Sequence, residues 1–278
     1  MSDPGNLPNA SESVVQAIPQ VPRRKLNLLD IHPLELAQQL SLLEYDLAKD
    51  VLITDIEARR AKGRARQPDS VTPCVRFSKH ITNWVVLSVL EPGDTPGRAA
   101  LMEYFISVAH SARGMNNFSS MTSIMDALQS PYVHRLLGSW KLLLKEKRDE
   151  GGSCLKTSNV GNNFLYPFIT LACLEPPGVP FIDIFLSFKG ESDAYHDGLV
   201  TRGFSRWQST PYSFEVDEDI RAFIQEELSQ FAGPNGNDPD QKNRFKKLSL
   251  DREPENSAEQ GTLKKVFNAP SRWLQRLQ

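Results

Sequence analysis

Residues 112–136, ARGMNNFSSMTSIMDALQSPYVHRL, decide how the rest of the chain is read. Two apolar helical patterns meet there at a polar knuckle, Gly114-Met115-Asn116-Asn117. On the downstream side Met121, Ile124, Met125 and Leu128 recur at steps of three and four, which places them on one face of a helix. Two adjacent amides at such a corner admit two readings. One of them caps the following helix through its side-chain oxygen, or the corner is a surface built to grip a partner.

Working outward, TPGRAALMEYFISVAHSARGMN upstream is strongly apolar at helical spacing, and a breaker, Pro92-Gly93-Asp94-Thr95-Pro96-Gly97, separates it from a further helix in VRFSKHITNWVVLSVLE. Earlier still, Leu34, Leu36, Leu40, Leu43, Leu47 and Val51 mark an amphipathic helix with Pro33 at its start, where a missing N–H costs nothing. IEARRAKGRARQPDSVTP is too polar for core and reads as a loop or frayed helix end, its basic run a solvated face. Downstream, SPYVHRLLGSWKLLLKEKRDE carries a helix into a charged end, EGGSCLKTSNVGNN reads as a loop, FLYPFITLACLE as a helix disturbed by Pro167, and EPPGVP as a hard stop. Alternating β patterns are nearly absent. The expected fold is all-α: one compact multi-helix domain of eight to ten helices over residues 26–230. Residues 1–25, rich in Pro, Ser and Asn, are expected to form a disordered leader, and residues 231–278 a polar linker and a basic amphipathic tail.

Composition narrows the function classes. A chain of 278 residues, 40% hydrophobic and 24% charged, can bury one sizeable core, and a formal net charge of −2 with scattered charges favours no nucleic-acid surface. Cys74, Cys154 and Cys173 lie far apart without metal spacing, which reads as reduced thiols in a cytoplasmic protein. No stretch reaches the ~18 apolar residues of a membrane span, and the N-terminus has no signal-peptide core. Nucleotide-binding, metalloprotease and hydrolase motifs are missing, and His32, His80, His110, His134 and His196 fall in different segments. His196-Asp197 has no nucleophile motif to complete a triad. No cofactor or metal is expected. Trp84 and Trp140, mid-helix, read as core. The residues alone point to an all-helical interaction or regulatory domain.

Six blocks go further. DIHPLELAQQLSLLEYDL, HITNWVVLSVL, the long run from Gly97 to Leu143, NNFLYPFI, PPGVPFIDIFLS and RWQSTPYSF resemble, in that order, the catalytic domain of Ras-family guanine nucleotide exchange factors, the Cdc25-homology domain, with a fungal flavour in RWQSTPY. The resemblance implies an all-α exchange domain whose partner is a Ras-family small GTPase of Ras, Rap or Ral type. It assigns Asn116 and Asn117 to the partner's switch II, with Phe118 as an anchor, and gives Arg98, Glu103 and Arg135 polar roles around it, an internal salt bridge being the alternative for each. Exchange requires no bond making by the protein, in keeping with the missing nucleophiles and metal ligands.

The family's remaining device is a helical hairpin that wedges switch I open. By resemblance it begins at Phe181 and continues through Phe185 and Ser187, with Phe188 standing for the group that occludes the Mg²⁺ position and Glu191 or Asp193 for the acid that repels phosphate. After Ser187 the likeness lapses: FKGESDAYHDGLVTRGFSRWQ is short for the family, and Gly190, Gly198 and Gly203 punctuate it. The leader also leaves no room for the upstream helical module that buttresses the hairpin in many members. The sequence therefore fits a minimal exchange factor or, failing that, a weak or inactive scaffold that binds a small GTPase or another partner. A gene model lacking part of the hairpin would produce the same gap. At the C-terminus Leu263, Val266, Phe267, Trp273, Leu274 and Leu277 lie among Lys264, Lys265, Arg272 and Arg276, a pattern suited to lying on the inner face of the plasma membrane, with docking back on the domain or simple disorder as the alternatives.

Overall fold

The computed structural model describes residues 25–62, 69–158, 175–187, 204–231 and 239–254. The expectations for the leader before residue 25, the NNFLYPFI block, Cys173, His196-Asp197, the three hairpin glycines and the tail beyond residue 254 lie outside the described residues.

Helix α1 (Pro33–Ala48) starts at His32, whose Nδ1 accepts from the Leu34 N–H, and Pro33 occupies its first turn. Helices α2 (Ile53–Lys62) and α3 (Thr72–Leu90) follow. Asp94 caps α4 (Thr95–Gly114) by accepting from the Gly97 N–H at 2.7 Å, so the expected breaker does end one helix and start the next. After α5 (Phe118–Gln129) come two short helices, α6 (Pro131–His134) and α7 (Leu137–Leu142), then α8 (Lys145–Ser158). Helix α9 (Ile182–Ser187), a helical stretch at 204–208, α10 (Glu218–Ser229) and α11 (Pro239–Arg252) complete the chain. The fold is all-α as expected, with no strand among the described residues and one isolated β-bridge, between Asn117 and Val179.

Helix α4 runs through the middle, its Met102, Phe105, Ile106, Val108 and Ala109 buried among α1, α3, α5 and α8. Trp84 on α3 lies at the heart of this core, edge-on to Phe105 at 5.6 Å, with its indole N–H on the Glu227 carboxylate at 2.9 Å. Trp140 is also buried and donates to the Val133 carbonyl. A second, smaller core of Val51, Ile56, Val71, Ile182, Phe185 and Phe204 fastens α9 to α2 and the start of α3.

Three expectations are corrected. The stretch from Glu150, expected as a loop, is the second half of α8: Gly151 is buried facing Ile106 of α4, and Cys154 and Leu155 fill the core beside it. Tertiary packing outweighs the roughly 1 kcal/mol that a glycine costs a helix interior. The polar stretch after Val51 is helix α2, and Arg59 is no solvated charge, since its guanidinium grips the Asp69 carboxylate at 2.6 Å and the Thr72 hydroxyl. That contact holds Asp69 well below the usual carboxylate range, at about 2. Residues 239–252, placed in a polar linker, form α11 and dock on α3 and α6 through Phe245 and a series of polar contacts, among them Ser249 Oγ to the Tyr132 carbonyl at 2.6 Å.

Because Asp69 ionises more readily in the fold than in the open chain, its contribution is present at neutral pH and is lost as pH falls through the range from about 4 to 2. Asp69→Asn is therefore expected to lower Tm at pH 7 and to converge with the parent near pH 2, as followed by circular dichroism. A constant difference across that range would contradict the Arg59–Asp69 clamp.

Candidate functional site

The knuckle lies at the junction of α1, α4, α5 and the segment that leads into α9. Asn116 adopts the left-handed conformation, φ 58°, which Asn tolerates better than most residues, and so turns the chain sharply between α4 and α5. Its side-chain amide donates to the Glu175 carbonyl at 3.0 Å and to the Pro177 carbonyl at 3.4 Å. Its backbone carbonyl accepts from the Val179 N–H at 3.1 Å, and the Phe118 N–H donates to the Val179 carbonyl at 2.9 Å. The knuckle is thus sewn to residues 175–179, and Phe181 and α9 follow at once.

Asn117 is fully buried. Its side-chain oxygen accepts from the Ser120 N–H, capping α5, while its amide nitrogen donates to the hydroxyls of Ser41 and Ser120, each at 3.0 Å. The Ser120 hydroxyl in turn bonds Glu44 of α1. Glu44 is buried as well, and burial pushes its carboxyl above the usual range, against the lowering effect of hydrogen bonds from Ser120, Ser119 and Asn117. A buried polar network therefore joins α1 to α5 beneath the knuckle, where hydrogen bonding is strong and an unpaired group costly.

The RWQSTPY block closes the other side. Arg206 pairs with Glu175, Trp207 packs on Phe118 with ring centroids 6.1 Å apart, and the Gln208 amide donates to the Ala48, Lys49 and Val51 carbonyls at the end of α1. The Tyr212 hydroxyl donates to the Met115 carbonyl at 2.8 Å. Gly178 lies so close under Trp207 that a Cβ there would come within 2.8 Å of the ring.

The other anticipated residues are not brought together. Arg98 is 1% exposed, and its guanidinium donates to the Pro92 and Gly93 carbonyls and to Ser139 Oγ, with Glu253 at 3.5 Å. Glu103 accepts from the Leu144 N–H at the start of α8 at 2.6 Å, and Arg135 donates to the Ser249 carbonyl of α11 at 2.7 Å. Arg98 is an internal strut, because a charge drawn into a helical core needs partners there, whereas Glu103 and Arg135 are partly exposed and tie neighbouring segments together from the rim. Phe185 faces inward, edge-on to Phe204 at 5.5 Å, and anchors α9 rather than projecting from it. Phe181 is half-buried against the main core, Ser187 ends α9, and Phe188, Glu191 and Asp193 lie outside the described residues.

Two acids not singled out from the sequence mark the outer face of this corner. Asp183 on α9 is half-buried and pushed up by burial, with Lys79 and Arg59 pulling it back. Asp126 on α5 is pushed up to about 6, first by the protein crowded around it and then by the Asp183 charge. Its side chain still reaches solvent, which moderates the first cause and leaves the repulsion as the better supported one. The available signal was Asp183 itself, an acid in the otherwise apolar run FIDIFLS. Among the described residues no group of acids, histidines and cysteines is arranged to hold a metal. The Cys74 and Cys154 thiols, pushed up to about 12 and about 11 by burial, remain protonated.

Asn117→Ala is expected to destabilise the fold by about 2–3 kcal/mol, from the lost cap and the buried hydroxyls left without partners. Gly178→Ala is expected to lower Tm by forcing Trp207 off Phe118. Denaturant titration monitored by tryptophan fluorescence checks both, and a change under about 0.5 kcal/mol, the size of an ordinary surface substitution, would contradict the account.

Comparison with known proteins places these features. A family model described as RasGEF domain matches residues 35–193. The chain is 29% identical over 224 residues to "Cell division control protein 25" of Candida albicans, covering 72% of this chain and 17% of the relative. It is 32% identical over 194 residues to the Saccharomyces cerevisiae protein of the same name, covering 66% of this chain and 12% of the relative. With "Ras guanine nucleotide exchange factor efc25" of Schizosaccharomyces pombe it shares 27% identity over 217 residues, covering 72% and 22%. The matched region thus spans less than a quarter of each of these relatives. With the family model matching more than half of its length, the chain belongs to the RasGEF domain family.

Proposed function

We propose that this domain promotes GDP release from a Ras-family small GTPase, of Ras, Rap or Ral type. The observation that carries the reading is the fixing of α9, the start of the expected hairpin, between two rigid supports: the knuckle through Val179, and α2 through the core of Ile56, Ile182 and Phe185. Helix α2 braces α9 through this core, a support suited to a chain whose sequence after Ser187 is short for the family. A wedge works only if it is stiffer than the loop it displaces.

In this reading the partner's switch II lies over the corner where Asp126, Asp183 and Lys79 reach the surface, and the chain beyond Ser187, with Phe188 and Glu191, reaches toward the Mg²⁺ and phosphate positions. Asn116 and Asn117 act from beneath by holding the corner in shape. Such a factor binds the nucleotide-free GTPase more tightly than the loaded one, and by reciprocity nucleotide is held more weakly in the complex. A 10⁵-fold weakening asks for about 7 kcal/mol of differential contact. An acid near phosphate repels it, and an apolar group at the metal position denies Mg²⁺ its oxygen ligands. A lipid-anchored GTPase would draw the domain from the cytoplasm to the inner face of the plasma membrane.

The test is release of a fluorescent GDP analogue from a panel of Ras-family GTPases. Acceleration by the parent is expected with at least one member, reduced tenfold or more by Phe181→Ala and by the double change Asp126→Asn, Asp183→Asn, with Tm confirming the folded state. The Asp126 carboxyl is held above the usual carboxylate range, so the parent's activity is expected to fall on acidification below pH 7 more than that of Asp126→Asn, which lacks the titrating group. No acceleration with any member, together with stable binding of a nucleotide-free GTPase, would identify a scaffold that holds its partner without opening it.

A further inference from the structure

At the opposite end of α4 from the knuckle, a groove of about 900 Å³ opens between the segment 25–28, the α3–α4 turn and α10. Its acidic lining consists of Glu91, Asp219, Glu226 and Glu227, and Lys25 is the one base among its described lining residues. The carboxylates crowd one another: burial raises the Glu227 carboxyl, offset in part by its bond from Trp84, and Glu91 and Glu226 add repulsion. Its apolar floor is made of Leu26, Leu28, Leu101 and Phe223, all partly buried against the main core. The site therefore suits a segment that carries bases and large apolar side chains together.

The chain itself supplies such a segment, and delivers it to the right place. Helix α11 ends with Arg252 donating to the Leu90 carbonyl and to the Glu91 carbonyl, each at 2.8 Å, so the last described residues touch a wall of the groove. Residues 263–278, LKKVFNAPSRWLQRLQ, contain Lys264, Lys265, Arg272 and Arg276 and no acid, with Val266, Phe267, Trp273, Leu274 and Leu277 between them. The nine steps from Pro254 to Leu263 reach at most about 30 Å when extended, enough to place the tail along the groove. The leader before Lys25 is a poorer occupant, since Asp3 and Glu12 balance Arg23 and Arg24.

We propose that the groove bounded by Glu91 and Phe223 is the docking site for the chain's own basic, apolar tail, residues 263–278. The bases pair with the groove carboxylates and relieve their mutual repulsion, while an aromatic side chain of the tail covers Phe223 and Leu101. Docking of the tail keeps the same bases and rings away from an anionic membrane.

The test uses the full chain. A zero-length carbodiimide cross-linker, followed by peptide mass spectrometry of the monomer, is expected to join Lys264 or Lys265 to Glu91, Asp219, Glu226 or Glu227. In the double variant Glu91→Lys, Glu226→Lys, whose changes are at exposed positions, cross-links to the remaining Asp219 and Glu227 should fall several-fold. The neutral double variant Glu91→Gln, Glu226→Gln, which adds no base of its own, should bind phosphatidylserine-containing vesicles several-fold more tightly than the parent, as expected when two attractive contacts to the tail are lost. Cross-links only to carboxylates elsewhere, or only between two copies, would overturn the proposal. So would a parent that binds the vesicles as tightly as the variant, which would make the tail a membrane anchor instead.

Discussion

The structure depends on one buried polar junction: Asn117 bonded to Ser41 and Ser120, and Ser120 to Glu44. Four polar side chains in a helical core are costly unless each finds a partner, and the partners here come from two helices far apart in sequence. The arrangement is therefore satisfied only when α1 and α5 sit at one spacing and one rotation. A purely apolar contact would tolerate sliding; this one does not. Glu44 pays the residual desolvation cost, visible in its raised carboxyl.

From that junction the rest follows outward. With Asn117 fixed, Asn116 is held in its left-handed turn, and its backbone pairs with Val179. Val179 draws in the segment from Glu175, Trp207 closes over Gly178, and α9 leaves the corner in a defined direction. Helix α2 holds the other flank of α9 through the small second core. The corner is a pedestal, and what it positions is the beginning of the hairpin. The polar residues around the knuckle have internal tasks as well: Arg98 ties α4 to α7, Glu103 ties α4 to the start of α8, and Arg135 ties the end of α6 to α11.

Much of this was legible in the sequence where the signal is local. The apolar spacing of Met121, Ile124, Met125 and Leu128 marks α5, Asp94 and Pro96 mark the start of α4, and the pair of amides marks a corner with a cap. What could not be read is decided by distant contacts. Nothing near Asn117 in sequence announces Glu44 or Ser41. Gly151 looks like a loop residue until Ile106 of α4 is placed against it, and α2 looks like a solvated basic stretch until Asp69 folds back on Arg59. Helix α11 has few apolar residues, and docks through Ser249, Arg252 and Glu253 on backbone groups that only the folded domain presents. For Asn117, Gly151 and α11 the missing information is a partner several elements away, and for Arg59 it is a carboxylate ten residues on, beyond the end of its own helix.

Hydrogen exchange at the Val179 and Phe118 amides, compared between the parent and Ser120→Ala, tests the central claim most directly. The hydroxyl of Ser120 touches neither amide, so any effect on them must pass through Asn117 and the knuckle. The account predicts that both amides are strongly protected in the parent and exchange at least tenfold faster in the variant, while the Phe105 amide in the middle of α4 is little changed. Unaltered protection at Val179 would mean that the foot of α9 is held independently of the buried network, and would contradict the account.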